Sequence, residues 1–282
     1  MKLKRKLGFI GGGNMAEALA RGLLAKKVFK ASQLIASDID PARRRKLSRT
    51  LGIATAADNL EVVTQAPAIV VAVKPQTIDA VLEELGAATR AWANSTPAAA
   101  TRLFISIAAG IPCARIERAI GKGARLIRAM PNAPAMIGQG MAGLVRGSGA
   151  SKADLAFALK IFRAVGDAVE LSNECDLDIV TALSGSGPAY VYLFIKSLAD
   201  AAVADGLPRE LALRMALQTV RGAEHHMRHC GLEPAELIRM VASPGGTTEA
   251  ALRRFAEAGF SDIVANAVHA AAARSRELGR QG

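Results

Sequence analysis

Hydrophobic and polar positions follow a repeating order along the first 172 residues of the chain. Short apolar runs, each long enough for one buried strand, are separated by segments with helical spacing of apolar residues, such as 42–51 and 77–88. The runs predict strands at 7–10, 34–37, 53–55, 68–73 and 103–107, and shorter ones at 125–129, 141–145 and 168–171. Strands that are apolar throughout and separated by helices predict a doubly wound, parallel α/β sheet of the Rossmann type.

The second part of the chain has a purely helical pattern, which begins at Glu174. Proline starts predict helices over 188–204, 208–228 and 234–241, and two more helices follow Thr247 and Phe260. We therefore predict a dinucleotide-binding domain over 1–172 and an all-helical domain over 173–282. The segment 190–203 is apolar almost all round, and about a hundred residues of helices offer too little interior to bury it. We expect two chains to dimerise through this half.

A glycine-rich turn, G-G-G-N-M-A, directly follows the first predicted strand. Gly11 permits a tight turn, Gly13 lets backbone N–H groups approach a phosphate, and the small Ala16 allows the next helix to pack close to the strand. That helix would direct its positive dipole end at an anion. The turn predicts a dinucleotide site, with a plain tight turn as the alternative. The predicted cofactor contacts here are Gly11, Gly13, Asn14, Met15 and Ala16.

The end of the second predicted strand bears on the choice of cofactor. Ser37 and Asp38 lie there, and an acidic side chain at this place can hydrogen-bond the ribose hydroxyls of NADH while repelling the extra phosphate of NADPH. The basic residues 43–45 could pair with that phosphate if they turn toward the ribose, whereas a solvated helix face is their alternative. The sequence therefore predicts NADPH or NADH, without a choice between them.

Composition and charge limit the classes of function. The chain has 282 residues, 51% hydrophobic and 4% aromatic, which is enough for two compact domains built on aliphatic packing. The formal net charge of +11 invites a nucleic-acid function, but the basic residues are scattered apart from 2–6 and 43–46, and no aromatic residues are interleaved with them. We expect no nucleic-acid partner and attribute the charge to solvated surface and to attraction of an anionic cofactor and substrate.

The cysteines and the lengths of the apolar runs indicate where the protein works. The three cysteines are widely spaced and odd in number, which favours a reducing, cytoplasmic compartment without a disulfide framework. Every apolar run is shorter than the roughly 18 residues that a membrane span needs, so we expect no membrane association.

One cluster of histidines invites a metal site. His225 and His229 are one helical turn apart, beside His226 and Cys230. The segment lies just before Gly231, a predicted helix end, where histidines also complement the helix dipole. No acidic third ligand or second cysteine is placed to complete a tetrahedral site, and we expect no bound metal.

Five further motifs follow the glycine-rich turn. They are A-V-K-P at 72–75, S-I-A-A-G at 106–110, R-A-M-P-N at 128–132, L-S-G-S-G-P-A-Y at 183–190 and S-P-G-G-T-T at 243–248. Together they make the sequence similar to the pyrroline-5-carboxylate reductase family from about Leu7 to about Leu278. The resemblance implies a dinucleotide-binding domain followed by a helical dimerisation domain. It also implies reduction of the ring C=N bond of pyrroline-5-carboxylate to proline, the last step of proline biosynthesis, by a homodimer or a larger assembly of dimers.

Two of these motifs end predicted strands at the carboxyl edge of the sheet, where ligands of open α/β sheets bind. Pro75 cannot continue a strand, and it turns the chain so that the residues before it can border a ribose or nicotinamide, unless Lys74 simply lies in solvent. The small residues of S-I-A-A-G leave room for a flat nicotinamide ring or for a close helix crossing. The predicted cofactor contacts are Ala72, Val73, Lys74, Pro75, Ala108 and Ala109.

Two asparagines are candidates for the same cofactor site. In the resembling family the counterpart of Asn59 reaches the cofactor, and we assign Asn59 that role. The alternative is that Asp58 and Asn59 together form a helix start. Asn132 could border the nicotinamide or brace its own loop.

The S-P-G-G-T-T segment supplies what an amino-acid carboxylate needs. It offers Ser243, the backbone N–H groups freed by two glycines, and a helix start near Thr247, although a Pro-Gly turn capped by Thr247 is the alternative. The motifs hold no His, Cys or carboxylate pair, so either the substrate binds as the iminium or a hydroxyl or water delivers the proton. We predict Thr248 as that hydroxyl. The predicted substrate contacts are Ser243, Gly245, Gly246, Thr247 and Thr248.

Three other functions are consistent with parts of the sequence. Another imine or keto-acid reductase on the same two-domain plan would favour a basic catalytic lysine in the helical half, and no such lysine stands in a recognisable motif here. A non-catalytic dinucleotide sensor would bind the cofactor without turnover. A nucleic-acid binder would be retained on DNA in a salt-dependent way.

Overall fold

The computed structural model describes residues 6–95, 102–121 and 124–280. By packing, the chain divides into two compact units. The first contains the residues up to Ser186 together with those from Ala271 onward, and the second contains Gly187–Ala270. The domains predicted from the sequence pattern, 1–172 and 173–282, stay a prediction. Most of the basic segment 2–6 lies outside the described residues.

The first unit is built on one eight-stranded sheet. Its strands are β1 (Leu7–Ile10), β2 (Leu34–Ser37), β3 (Ala54–Ala56), β4 (Ala68–Val71), β5 (Leu103–Ser106), β6 (Arg125–Pro131), β7 (Gly140–Arg146) and β8 (Gly166–Glu170). They lie in the order β3-β2-β1-β4-β5-β6-β7-β8. The six strands from β3 to β6 are parallel, β7 runs antiparallel to β6, and β8 is parallel to β7. The doubly wound parallel core is confirmed, and two reversed strands extend it.

Helices cover both faces of this sheet. They are α1 (Asn14–Ala25), α2 (Pro41–Leu51), α3 (Asn59–Gln65), α4 (Ile78–Ser95), α5 (Cys113–Ile120), α6 (Lys152–Phe162) and α7 (Asp176–Val180). Asp40 caps α2 by accepting the Ala42 N–H at 2.7 Å, with Pro41 at the first helical position. The sequence analysis did not predict α5, α6 or α7. α6 and α7 lack the proline start that marks the later helices, whereas α5 has one at Pro112 that was overlooked.

Two hydrophobic clusters lie on opposite faces of the sheet, and side chains alternate between them along each strand. In β4, Val70 belongs to the cluster beneath α1, α2 and α6, whereas Ile69 and Val71 belong to the cluster beneath α3, α4 and α5. Both faces of the sheet are therefore shielded from water. This explains why the strands are apolar throughout, instead of alternating apolar with polar residues.

Some predicted strand ends were wrong, and the reasons are local. β4 ends at Val71 instead of residue 73, because the chain leaves the sheet and enters a 3-10 turn at Pro75–Thr77. β6 continues to Pro131 instead of residue 129, since antiparallel pairing with β7 holds it through the Pro131 and Ala142 pair. The predicted strand at 53–55 forms one residue later.

The second unit is helical. It contains α8 (Gly187–Ala204), α9 (Arg209–Cys230), α10 (Pro234–Val241), α11 (Thr247–Glu257) and the part of α12 (Phe260–Arg280) that precedes Ala271. Its buried cluster consists of Ala199, Ala212 and Ala216, with partly buried neighbours. Large apolar side chains on α8 are exposed in the single chain, among them Tyr192 at 62% and Leu193 at 64%. The burial expected for 190–203 is thus not reached within the single chain.

Candidate functional site

The carboxyl ends of β1, β2 and β4 meet at one edge of the sheet. The Gly11 N–H donates to the Ser37 carbonyl at 2.9 Å, and the Ala72 N–H donates to the Ile10 carbonyl at 2.8 Å. Gly11 has φ +92°, and a Cβ there would lie 2.8 Å from the Ala72 carbonyl oxygen. Glycine is thus required at this position by conformation and by close approach.

The start of α1 presents open space above the glycine-rich turn. Gly13 precedes the first helical residue in an extended conformation, and a Cβ at Gly13 would have no neighbour within 4 Å. Ala16 is buried against the sheet, Met15 is half-buried, and Asn14 is exposed. The start of α1 therefore leaves room for an anion to approach its N–H groups.

Asp38 lies directly against the same turn. Its Oδ2 accepts the Gly12 N–H at 2.7 Å, and its Oδ1 accepts the Asp40 N–H at 2.8 Å. The carboxylate is half-buried and stays at the edge where β1 and β2 end. This is the position from which an acidic side chain can reach a ribose hydroxyl.

Two of the three basic residues at 43–45 turn toward this edge. Arg43 Nη1 donates to Asn14 Oδ1 at 3.2 Å, while Arg44 Nη1 donates to the carbonyls of Asp38 at 2.6 Å and Ile39 at 3.1 Å. Arg45 is exposed. A cation and a carboxylate therefore flank the same turn.

Ile39 is a residue that the sequence analysis missed. It follows Asp38 directly, and 91% of its surface is exposed. An exposed apolar side chain next to the Asp38 carboxylate offers a surface for a flat base. The sequence did offer a signal, since Ile39 stands alone between two aspartates. A turn that only faces solvent has no need of an isoleucine.

Ser37 and Asn59 form a partly buried connection beside Asp38. Ser37 is fully buried, and its Oγ donates to Asn59 Oδ1 at 2.7 Å. Asn59 Nδ2 in turn donates to Glu84 Oε2 at 2.7 Å. Asp58 is the residue that caps α3, through the Leu60 N–H at 2.7 Å, so the Asn59 side chain is left to this network.

The loops after β4 and β5 border the same edge. Ala72 and Val73 are half-buried and Lys74 is exposed, while the Lys74 carbonyl accepts both the backbone N–H and the hydroxyl of Thr77 at 3.0 Å. After β5, the buried Ser106 Oγ accepts the Ala108 N–H at 3.3 Å. The predicted small residues follow there: Ala108 is buried and Ala109 is half-buried.

The R-A-M-P-N motif has a bracing role in the structure. Asn132 Nδ2 donates to the Ser184 carbonyl at 2.9 Å, and Asn132 Oδ1 accepts the Met141 N–H at 2.8 Å. Arg128 is buried and forms an ion pair with Glu174 at 2.7 Å. Of the two interpretations of Asn132, these contacts support the one in which its side chain braces its own loop.

The S-P-G-G-T-T loop lies in the second unit, immediately before α11. The Gly246 N–H donates to the Ser243 carbonyl at 3.0 Å, and Gly245 has φ +71°. The Gly245 N–H donates to Glu249 Oε2 at 2.5 Å. One N–H of the predicted carboxylate cradle thus already holds a carboxylate from the same helix. Gly246, rather than Thr247, is the residue at the helix cap.

Thr248 is half-buried in the first turn of α11. It lines a cavity of about 560 Å³ whose other walls are mainly apolar, with contributions from Met227, Ile238 and Leu252. A hydroxyl on an apolar wall suits a small ring that carries one polar atom.

The histidine cluster on α9 remains at the surface. His225 Nδ1 lies 2.7 Å from Glu224 Oε2, and both side chains are exposed. Within the described residues, no group of three or more His, Cys, Asp or Glu is arranged to hold a metal ion. Across the ranges that the structure describes, no helix is long and apolar enough to span a membrane.

Comparisons with protein families place two profiles on the chain. Residues 174–278 match the profile described as pyrroline-5-carboxylate reductase dimerisation, and residues 6–110 match the profile described as NADP oxidoreductase, coenzyme F420-dependent. Pyrroline-5-carboxylate reductase of Pseudomonas aeruginosa is 42% identical over 276 residues, which cover 98% of this chain and 97% of that protein. The Arabidopsis thaliana enzyme is 39% identical over 273 residues, covering 97% and 95%.

Solved structures of similar proteins agree over the whole chain. A pyrroline-5-carboxylate reductase from Coxiella burnetii superposes with a TM-score of 0.89 at 34% identity, covering 98% of both chains. The Plasmodium falciparum pyrroline carboxylate reductase, solved with NADP bound, has a TM-score of 0.83 at 32% identity and covers 99% of this chain and 100% of that one.

Proposed function

This chain belongs to the pyrroline-5-carboxylate reductase family, and we propose from its contacts how each unit serves the reaction. The protein is an oxidoreductase that uses NAD(P)H to reduce the C=N bond of 1-pyrroline-5-carboxylate to L-proline. The bound nicotinamide supplies the hydride. The chain itself must hold the cofactor, orient the imine and allow one proton to reach the imine nitrogen.

The edge of the sheet fits a dinucleotide. The open space above Gly13, the free N–H groups of α1 and the close approach at Gly11 suit a pyrophosphate. Around this turn we place the remaining cofactor contacts at the ends of the neighbouring strands. They are Asn14, Met15, Ala16, Ser37, Asp38, Asn59, Ala72, Val73, Lys74, Pro75, Ala108 and Ala109. Of these, Ser37 acts through Asn59. We add Ile39 as a contact of the adenine.

The adenosine ribose lies, in this proposal, between Asp38 and Arg43. The carboxylate favours the free hydroxyls of NADH, and the guanidinium favours the extra phosphate of NADPH. Because both flank one turn, we propose that the enzyme uses both cofactors, with NADH at least comparable to NADPH.

The helical unit holds the imine substrate in this proposal. Ser243 and the backbone of Gly245, Gly246 and Thr247 receive its carboxylate, and the Thr248 hydroxyl reaches the ring nitrogen. A carboxylate bound by the loop must replace Glu249 at the Gly245 N–H. A neutral threonine is a poor acid, so its hydroxyl orients an iminium or a water rather than protonating the imine by itself.

We further propose a homodimer, or a larger assembly of dimers, formed through the helical half. The support is the matching dimerisation profile and the exposed apolar side chains of α8. Burial of such surface against a second chain is the usual way to remove it from water. Sedimentation of the full chain should show no stable monomer at micromolar concentration.

We also propose a cytoplasmic location, because the three cysteines are free thiols.

The contact between Asp38 and the Gly12 N–H carries the cofactor assignment, since it joins the acidic strand end to the phosphate-binding turn. A steady-state assay with pyrroline-5-carboxylate and each nicotinamide cofactor tests the function directly. We expect turnover with both cofactors. Tight cofactor binding without turnover would instead favour a dinucleotide sensor, and turnover only with other imines or with keto acids would favour a different reductase.

A further inference from the structure

We propose that Glu84 is a positioning residue for the cofactor, because its carboxylate fixes the orientation of the Asn59 amide. This inference rests on the proposed contact between Asn59 and the cofactor. Glu84 lies on α4, 25 residues beyond Asn59 in sequence, and no motif of the sequence analysis includes it.

The Asn59 amide is held from both ends. Ser37 Oγ approaches Asn59 Oδ1 at 2.7 Å, and Asn59 Nδ2 approaches Glu84 Oε2 at 2.7 Å. Ser37 is fully buried at the end of β2, and Glu84 is half-buried. The three side chains thus connect β2, α3 and α4 beside Asp38, at the edge that carries the phosphate-binding turn.

The Glu84 carboxylate allows only one orientation of the Asn59 amide. A serine hydroxyl can donate or accept, so it would tolerate either end of the amide. An ionised carboxylate only accepts, and it would repel the amide oxygen at this distance. Glu84 therefore forces the Asn59 N–H₂ group toward itself, which leaves the second Nδ2 hydrogen for an oxygen of the cofactor ribose or its phosphate.

Electrostatics alone would predict the opposite effect of removing this charge. A carboxylate near an anionic cofactor disfavours binding, so neutralising it should tighten the complex. If Glu84 acts by orienting Asn59, neutralising it should weaken the complex instead. The sign of the change therefore separates the two roles.

The test compares Glu84→Gln and Glu84→Asp with the control Glu83→Gln, which neutralises the adjacent, exposed carboxylate on α4. Glutamine can present either end to the amide, and aspartate keeps the charge but withdraws it by one methylene. We expect both Glu84 variants to raise the Kd of NADPH and NADH roughly ten- to a hundredfold, the range for one charge-assisted hydrogen bond. The control should match the wild type, and kcat at saturating cofactor should change little. Cofactor fluorescence titration gives Kd.

A double-variant cycle with Asn59→Ala decides whether Glu84 acts through Asn59. We expect Glu84→Gln to add little to the Kd of Asn59→Ala. Additive effects, or tighter binding by Glu84→Gln alone, would overturn the inference. If Asn59→Ala itself leaves Kd unchanged, the proposed contact between Asn59 and the cofactor fails, and the inference fails with it. If Asn59→Ala weakens binding but both Glu84 variants do not, the inference alone fails.

Discussion

The carboxylate of Asp38 accepts the backbone N–H of Gly12 at 2.7 Å. This contact ties the end of β2 to the turn that begins α1, so one acidic side chain shapes the glycine-rich turn and, in the proposed binding mode, also borders the ribose. We therefore expect a substitution at Asp38 to change cofactor choice and local structure together, and its test needs a control for charge.

We expect Asp38→Ser to improve the use of NADPH relative to NADH by roughly ten- to a hundredfold, because one like-charge clash with the extra phosphate disappears. The measurement is kcat/KM for each cofactor. Asp40→Ser removes the same charge two residues away while serine can still cap α2, and it should leave the ratio near that of the wild type. A strong wild-type preference for NADPH that survives Asp38→Ser would move the assignment to residues 43–45.

Thr248→Ala should lower kcat/KM for pyrroline-5-carboxylate by roughly ten- to a thousandfold, because the ring loses a well-placed hydrogen bond. Cofactor affinity should stay nearly constant, since no proposed cofactor contact is altered. The control Thr50→Ala removes a threonine hydroxyl from the exposed face of α2. Full activity of Thr248→Ala would exclude this residue from the site, and lost folding or cofactor binding would indicate a structural turn.

Glu249→Gln should lower the KM for pyrroline-5-carboxylate by roughly three- to tenfold, as expected when an internal anion no longer competes for the Gly245 N–H. Initial rates at saturating cofactor give the value. Glu257→Gln, at the other end of α11, provides a matched control. A higher KM for Glu249→Gln would show that the glutamate supports the loop and that the substrate carboxylate lies elsewhere.

The ion pair of Asp154 with Arg125 makes stability depend on acid pH. Hydrogen bonding to the Arg125 guanidinium is the main cause that lowers the pKa of Asp154 from 3.8 to about 2. A carboxyl with a depressed native pKa contributes stability that is complete above about pH 4 and is lost as pH falls toward 2. Asp154→Asn should therefore be less stable than the wild type in urea at pH 7, with the difference shrinking between pH 4 and 2.

The exposed Asp205→Asn is the control for this pH series and should follow the wild type throughout. A stability difference between Asp154→Asn and the wild type that is constant from pH 7 to 2 would mean that the aspartate acts through packing alone.

The sequence by itself determined the sheet, its parallel core and the glycine-rich turn, because these depend on local patterns. The run Leu7–Ile10 followed by Gly11 specifies a strand and a turn with few alternatives, and the apolar strands require cover on both faces. Helix starts such as Pro234 were readable for the same reason. The family motifs then located the loop at Ser243 within a helical half.

Tertiary structure decided which partners the polar side chains have, since these bonds join residues far apart in sequence. Glu84 meets Asn59 across 25 positions, and Asn132 meets Ser184 across 52. The antiparallel direction of β7 also could not be predicted from the sequence, because a buried strand has the same apolar pattern in either direction. Glu249 at the Gly245 N–H could not be foreseen, as a helix-start glutamate can equally lie in solvent. Local periodicity fixes elements, whereas packing of distant elements fixes which donor meets which acceptor.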